Sequence, residues 1–177
     1  MKGVGTEAMS IDFSDMLDDD AVVHPRDIFF SLDRAPSFSF PRDIQTEVMN
    51  RWFDDRDQRD SVIKLNVGSG KTLVGLLLLQ SSLNERKGPA LYVAPDKQLA
   101  HQVMQEADAL GLQVTDDPRD PSYAAGDVIC VVNVYKLFNG RSVFGVGSSK
   151  IAIGTVIIDD AHACVSTITE QFRITLD

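Results

Sequence analysis

The sequence predicts an α/β fold built on a mostly parallel central sheet. Short, almost wholly apolar runs alternate along the chain with longer segments that have helical spacing. Strands that are covered on both faces, as in parallel sheets, are apolar throughout rather than at every second residue. The chain has 177 residues, of which 44% are hydrophobic, and is therefore long enough for one ordinary globular core. We expect that core to be a sheet between layers of helices.

The first 40 residues predict an acidic arm that is partly disordered. Residues 1–20 are acidic and weakly patterned, so they can bury little apolar surface. Four phenylalanines between positions 29 and 40 are interrupted by Pro36 and Pro41, which predicts an ordered but irregular segment that packs on the main body. Residues 41–177 are expected to form the domain itself.

The elements of that domain follow in order. Residues 43–53 have apolar side chains at helical spacing, and SVIKLN at 61–66 has the β-branched composition of a strand. Later segments repeat the alternation of strand and helix. The predicted elements are a helix at 43–53, a strand at 61–66, a helix at 71–84, a strand at 90–94, a helix at 97–110, and strands at 127–132 and 155–158.

Composition excludes several classes of protein. The formal charge of −9 argues against a free-standing nucleic-acid binder, because Lys and Arg dominate phosphate contact. The longest apolar run, 73–79, is far below the roughly 20 residues of a membrane span, and the N-terminus lacks a signal-peptide pattern. Cys130 and Cys164 match no metal spacing, which favours reduced, buried thiols over a disulfide. We expect a soluble, cytoplasmic protein without a membrane partner.

A glycine-rich turn joins the strand at 61–66 to the helix at 71–84. Glycines let the backbone N–H groups curl around phosphates, and the helix N-terminus adds positive potential. The pattern GxxxxGK[ST] requires a glycine where this chain has Leu65, and a chance Gly-Ser turn is the alternative interpretation. The intact GSGKT still favours nucleotide binding, by Asn66, Val67, Gly68, Ser69, Gly70, Lys71 and Thr72, with Lys71 reaching the outer phosphates and Thr72 ligating magnesium.

Two carboxylates follow the strand at 155–158. Asp159 and Asp160 would lie at the carboxyl edge of a parallel sheet, where ligands bind in such folds. A first carboxylate can hold magnesium, usually through water, and a second can orient or deprotonate the attacking water. The alternative is a polar strand-to-helix turn with an aspartate cap.

Taken together, GSGKT and the sequence Asp-Asp-Ala-His at 159–162 resemble the DEAD/DEAH-box motifs of superfamily-two helicases. Three further segments agree in order. Residues 42–45 resemble the upstream R-x-x-Q motif, residues 95–102 resemble PTRELAxQ, and residues 127–140 are similar to a strand followed by TYxKLFNG. The resemblance implies a P-loop NTPase fold, a RecA-like three-layer sandwich, and specifically the first RecA-like, ATP-binding domain of a helicase or translocase.

The same resemblance implies roles for single residues. Lys71 and Asp160 would be catalytic, and Thr72 and Asp159 would hold Mg²⁺. Because Asp160 stands where the family usually has Glu, its shorter side chain would place the carboxylate farther back. The remaining implied residues are Arg42 and Gln45 for the nucleotide, with Gln45 reading adenine, His162 for coupling to the rest of the motor, and Pro95, Lys97, Gln98 and Tyr135 for nucleic acid.

The resemblance also implies a longer parent enzyme. The chain ends 15 residues after His162, whereas helicases of this family need a second RecA-like domain that supplies an arginine finger. We expect a fragment that is poorly active alone, from an ATPase that couples Mg-ATP hydrolysis to movement on DNA or RNA. A small P-loop kinase or switch NTPase and a degenerate, non-hydrolysing ATP-binding interaction module are the alternatives.

Overall fold

The computed structural model describes residues 21–144 and 150–172. The expectation of disorder for residues 1–20 lies outside the described residues. Helices and strands alternate for most of the described chain. The elements are α1 (Pro25–Ser31), α2 (Asp43–Asp54), α3 (Lys71–Asn84), β1 (Ala90–Ala94), α4 (Lys97–Ala109), β2 (Val114–Thr115), α5 (Pro121–Ala125), β3 (Ile129–Asn133), α6 (Val134–Leu137), β4 (Thr155–Ile158) and α7 (Ala161–Gln171).

Four strands form one sheet in the order β2-β3-β1-β4, and every neighbouring pair is parallel. Ala90 of β1 pairs with Ile129 of β3 on one side and with Thr155 of β4 on the other, so β1 is an inner strand of the sheet. All five residues of β1 and of β3 are buried, which explains why both runs are apolar throughout. The predicted α/β fold with a parallel sheet is confirmed.

Helices cover both faces of this sheet. On one face α3 and α4 pack against side chains such as Tyr92 and Val131. On the other face, Tyr123 of α5, Val134 of α6 and Cys164 of α7 join alternate strand residues in a second buried cluster. Two apolar clusters on opposite sides of one sheet make the three-layer sandwich that the sequence predicted.

The N-terminal arm differs from its prediction. Residues 25–31 form a regular helix rather than an irregular segment, because Pro25 stands at the first helical turn and the His24 ring accepts a hydrogen bond from the Arg26 N–H (3.2 Å). Ile28 and Phe29 are buried in the cluster that contains α3. The Ser81 hydroxyl of α3 also donates to the Val23 carbonyl, so the arm is fastened along this helix.

The prediction of a strand at 61–66 is wrong. These residues form no ladder with any described strand, and Val62 is 99% exposed. β-branched residues favour strands through contacts with neighbouring strands, and this segment lacks such contacts in the described part of the chain. The sheet edge is instead β4, where Val156 and Ile158 remain 45% and 43% exposed.

The cysteines agree with the sequence analysis. Cys130 and Cys164 are free and buried, and burial raises the pKa of Cys130 to about 12 and that of Cys164 to about 11. Both thiols are therefore protonated and weakly reactive. Among residues 21–144 and 150–172, no helix has the length and apolar character needed to span a bilayer.

Candidate nucleotide site

The glycine-rich turn opens directly into α3. Gly68 and Gly70 both have a φ of +76°, which is a left-handed conformation that glycine adopts without steric cost. The turn is closed by Ser69, whose N–H and hydroxyl both donate to the Asn66 carbonyl (3.2 and 2.6 Å). Gly70 caps α3 and has no side chain to occupy the first N–H groups. The helix N-terminus therefore keeps donors for an anion, as the sequence predicted.

Gln45 fastens α2 to this turn. Its Nε2 donates to the Ser69 carbonyl at 2.9 Å, while its Oε1 accepts from the Arg42 N–H at 2.8 Å and completes a capping box at the start of α2. The Arg42 guanidinium adds a 2.5 Å bond to the Gly68 carbonyl. Gln45 is only 5% exposed. The amide nitrogen of Gln45 thus holds the loop while its oxygen caps α2, and adenine contact by Gln45 stays a prediction.

The two aspartates after β4 have different surroundings. Asp159 continues the sheet by one residue, since its N–H donates to the Val93 carbonyl of β1 (2.9 Å). Asp160 has a φ of +43°, which is rare for a residue with a side chain, and its carboxylate accepts from the Ala163 N–H (3.2 Å) as the cap of α7. Asp159 is half-buried and Asp160 is exposed. The capping alternative considered for Asp160 therefore describes its geometry here, and its catalytic role stays a prediction.

Tyr92 is a buried tyrosine on the face of the sheet beneath α3. It lies on β1, is 1% exposed, and pairs with Ile157 of β4. A Cβ atom at Gly75 of α3 would lie 3.0 Å from Cε2 of its ring, so the helix passes close over this side chain. Burial raises the pKa of Tyr92 far above its usual value, and the Asp159 carboxylate raises it further, whereas the Thr72 side chain lowers it.

Glu106 is a second acidic neighbour of Thr72. It lies on α4, which packs on the same face of the sheet as α3. Burial raises the pKa of Glu106, and Asp159 adds to that effect, while hydrogen bonds from the Thr72 hydroxyl and the Leu73 N–H oppose it.

The side-chain oxygens at the carboxyl edge of the sheet fit a magnesium ion that is also bound by a phosphate. Within the described residues there is no group of three or more His, Cys, Asp or Glu side chains that could hold a metal alone. Mg²⁺ commonly binds through one or two protein oxygens together with waters and substrate phosphates. The Thr72 hydroxyl and the Asp159 carboxylate are such a pair, and their assignment as metal ligands stays a prediction.

The residues predicted to contact nucleic acid are spread over the loops after β1 and β3. Lys97 and Gln98 are exposed and Tyr135 is 45% exposed. Pro95 is buried, so the predicted contact of Pro95 with nucleic acid would have to be made by its backbone. A cavity of about 290 Å³ between α4 and α6 is lined by Lys97 among others, including His101, Asn133 and Lys136. The contacts themselves remain predictions, as does the coupling role of the exposed His162.

Asp96 stands where the PTRELAxQ pattern has threonine, and it has a local structural role. Its carboxylate accepts from the Leu99 N–H at 2.8 Å and caps α4. Thr and Asp are both good N-cap residues, so Asp96 can replace the threonine of the PTRELAxQ pattern without loss of the cap.

Tyr92 and Glu106 are the residues that the sequence analysis missed. One signal was present for Tyr92, because a phenol in the otherwise aliphatic run ALYVA needs a polar partner when it is buried. Gly75 was a second signal, because a glycine inside an apolar helix often marks a position where another group packs closely against the helix backbone. Nothing local marks Glu106, whose contact depends on how α4 packs beside α3.

Comparisons with known proteins agree with this arrangement. The model of the DEAD/DEAH box helicase family matches residues 42–176. A curated relative, "DEAD-box ATP-dependent RNA helicase 58, chloroplastic" of Arabidopsis thaliana, is 39% identical over 72 residues, which are 40% of this chain. The matched part is 15% of that relative's length. No solved structure matches the chain.

Proposed function

The chain belongs to the DEAD/DEAH box helicase family, and from this premise we propose that it is the ATP-binding RecA-like domain of an RNA helicase or RNA translocase. Family membership supports the helicase and ATP-binding part of the proposal, and the relative's description as an RNA helicase supports RNA over DNA. The single observation that carries the proposal is the glycine-rich turn at the start of α3, where Gly68 and Gly70 have left-handed φ values of +76° and Gly70 caps the helix without a side chain.

In this proposal the triphosphate binds at the start of α3. The N–H groups of the turn and of the first helical residues face the phosphates, and the Lys71 ammonium neutralises the outer ones. Gln45 and Arg42 hold the Ser69 and Gly68 carbonyls, which keeps the loop in shape before the nucleotide arrives. A loop that is already ordered loses less conformational entropy on binding.

Thr72 and Asp159 would hold Mg²⁺. When bound, the ion neutralises the charge that develops on the phosphates during transfer. The residues of this chain would contribute the hydroxyl oxygen of Thr72 and the carboxylate of Asp159. The carboxylate of Asp160 would orient the attacking water.

One observation supports a second candidate function. The Asp160 carboxylate caps α7 and is one methylene shorter than the glutamate that the family usually has, so it is less free to reach a water. A protein that binds ATP without hydrolysing it, and that acts as an ATP-dependent interaction module, is the alternative. A small kinase or switch NTPase is no longer favoured, because the family match covers most of the chain.

The remaining parts of the proposal concern the whole protein. The chain spans about 15% of the length of the curated relative that it matches, so we propose that a second RecA-like domain completes the ATP cleft. This chain alone would then bind nucleotide but hydrolyse it poorly, because positioned cations are worth about a thousandfold or more in phosphoryl transfer. A cytoplasmic location stays a prediction, and the relative is named as chloroplastic.

RNA-stimulated ATPase activity in the full-length protein tests the proposal. An RNA helicase predicts ATP hydrolysis that increases on addition of single-stranded RNA and less so with DNA of the same sequence. The non-hydrolysing module predicts ATP binding without turnover under any of these conditions. Stimulation by DNA alone would contradict the choice of RNA.

A further inference from the structure

One carboxylate stands at the junction of β4 and α7 with two possible partners. The Asp160 carboxylate accepts from the Ala163 N–H at 3.2 Å and caps α7. The first N–H groups of a helix have no partner within the helix, so this one depends on the aspartate. Asp160 has a single methylene group, so both of its carboxylate oxygens stay beside the first turn of α7 while the cap is made. The cap therefore competes with the water-orienting role proposed above.

The backbone around Asp160 is fixed on both sides. The Asp159 N–H donates to the Val93 carbonyl of β1 (2.9 Å), and the Asp160 N–H donates to the Asp159 carboxylate (2.9 Å). The Asp159 carbonyl accepts from the Cys164 thiol (3.3 Å), and the Asp160 carbonyl accepts from the Cys164 N–H (3.0 Å). All four backbone groups of the two aspartates are thus in use, whereas the Asp160 side chain is exposed. Rotation of that side chain can therefore exchange the cap for another partner without disturbing the turn.

The residue type at position 160 suits the cap. Asp160 has a φ of +43°, in the left-handed region that aspartate and asparagine enter more readily than other residues with a side chain. Aspartate is also among the preferred N-cap residues, and glutamate is not. The glutamate that the family usually has at this position would therefore fit the turn and the cap less well than Asp160 does.

We propose that the α7 cap is an autoinhibitory contact, which holds the Asp160 carboxylate at the helix rather than at the attacking water until its bond to the Ala163 N–H is broken. The inference rests on the proposed ATP hydrolysis at this site and adds a conformational step to it. An N-cap bond of ordinary strength corresponds to about a fivefold preference for the capping orientation. The bond that stabilises α7 therefore lowers the rate of hydrolysis by a comparable factor.

Removal of the donor tests the proposal without changing the carboxylate. Ala163→Pro deletes the N–H that Asp160 caps, and proline is tolerated in the first turn of a helix. Steady-state ATP hydrolysis is measured on the full-length protein with Mg²⁺ and single-stranded RNA. The variant should raise kcat about fivefold and leave the KM for ATP unchanged, because the side chain is freed while the nucleotide loop is untouched. A cap with a purely structural role predicts no rise in kcat.

Ser122→Pro is the matched control for this change. The Ser122 N–H donates to the Asp120 carboxylate (2.9 Å) at the start of α5, so the variant deletes an N-cap donor in the same way. Both variants should lower the Tm of the 177-residue chain by roughly 2–4 °C, because each loses one cap. Only Ala163→Pro should raise kcat.

Two replacements of Asp160 itself keep the test decisive if Ala163→Pro does not fold. Asp160→Asn keeps the cap and loses the charge, so its Tm should equal that of the wild type and its kcat should fall by about 100-fold or more. Asp160→Glu keeps the charge and weakens the cap, so it should combine a lower Tm with a higher kcat. Asp120→Glu weakens the cap of α5 in the same way and should change the Tm alone.

The outcomes separate this inference from the proposed function. ATP binding without hydrolysis in the wild type, Ala163→Pro and Asp160→Glu would overturn the proposed hydrolysis and the inference together. Hydrolysis by the wild type with an unchanged or lower kcat in both variants would overturn the inference alone. A rise in Asp160→Glu but not in a folded Ala163→Pro would show that side-chain length limits the rate, which also overturns it. A silent wild type that gains hydrolysis in Ala163→Pro would support it, because the cap would then account for the silence.

Discussion

Gln45 offers a sharp test of how the nucleotide loop is held. Replacement by Ala removes two short hydrogen bonds, one to the Ser69 carbonyl and one from the Arg42 N–H, at a residue that is 5% exposed. Each such bond contributes about 0.5–1.5 kcal/mol, so Gln45→Ala should lower the free energy of unfolding by about 1–3 kcal/mol. Gln45→Glu keeps the acceptor for Arg42 but turns a carboxylate oxygen towards the Ser69 and Gly70 carbonyls, so it loses the donor and adds repulsion at the loop.

Nucleotide affinity distinguishes this positioning role from adenine recognition. With the Ser69 bond lost, the loop must be ordered on binding at a cost of about one hydrogen bond, which corresponds to roughly tenfold weaker affinity. Fluorescent ATP and GTP analogues titrated into the wild type and Gln45→Ala should show similar losses of affinity, because Gln45 contacts the loop rather than the base. A loss confined to ATP would show that Gln45 acts on the base, and unchanged affinity for both would refute the reasoning.

Two further predictions follow from the loop and from an ion-pair cluster. Gly70→Ala should weaken nucleotide binding, because its Cβ would lie 2.2 Å from Gln45 Nε2 and would displace this amide from the Ser69 carbonyl. Gly68→Ala, with the same φ and no atom within 4 Å, should cost only the left-handed strain of about 1–2 kcal/mol in urea unfolding. Burial alone would raise the pKa of Glu85, but hydrogen bonds from Lys87 and Arg56 outweigh it and lower that pKa. The stabilisation that the Glu85 ion pairs give to the fold is present above the ordinary carboxyl pKa and is lost as pH falls through the lowered pKa of Glu85. Acid should therefore reduce the Tm of the wild type more than that of Glu85→Gln. Equal slopes of Tm against pH in the two proteins would contradict this.

Much of the fold was predictable because its signals are local. Fully apolar runs such as ALYVA at 90–94 can be stable only when they are covered on both faces, and the structure places this strand between two others. The glycine-rich turn was predictable for the same reason, since φ values of +76° at Gly68 and Gly70 require the residue type that the motif contains. Asp159 was placed correctly at the carboxyl edge of the sheet.

The rest depended on contacts between distant segments. SVIKLN at 61–66 has the composition of a strand, but pairing depends on a neighbouring backbone that composition does not reveal. The hydrogen bond from Gln45 to the Ser69 carbonyl depends on how α2 packs against a turn that lies 24 residues later in the sequence. The position of Glu106 beside the start of α3 depends in the same way on the packing of α4 against α3, which helical periodicity alone does not determine.

Titration of a fluorescent ATP analogue into the wild type and Lys71→Ala tests most directly whether the turn at 68–72 holds the triphosphate. Lys64→Ala, which removes an exposed cation seven residues earlier, is the matched control for loss of charge. Lys71→Ala should bind the analogue at least tenfold more weakly than the wild type, while Lys64→Ala should bind it like the wild type. Equal affinities for the wild type and Lys71→Ala would contradict this.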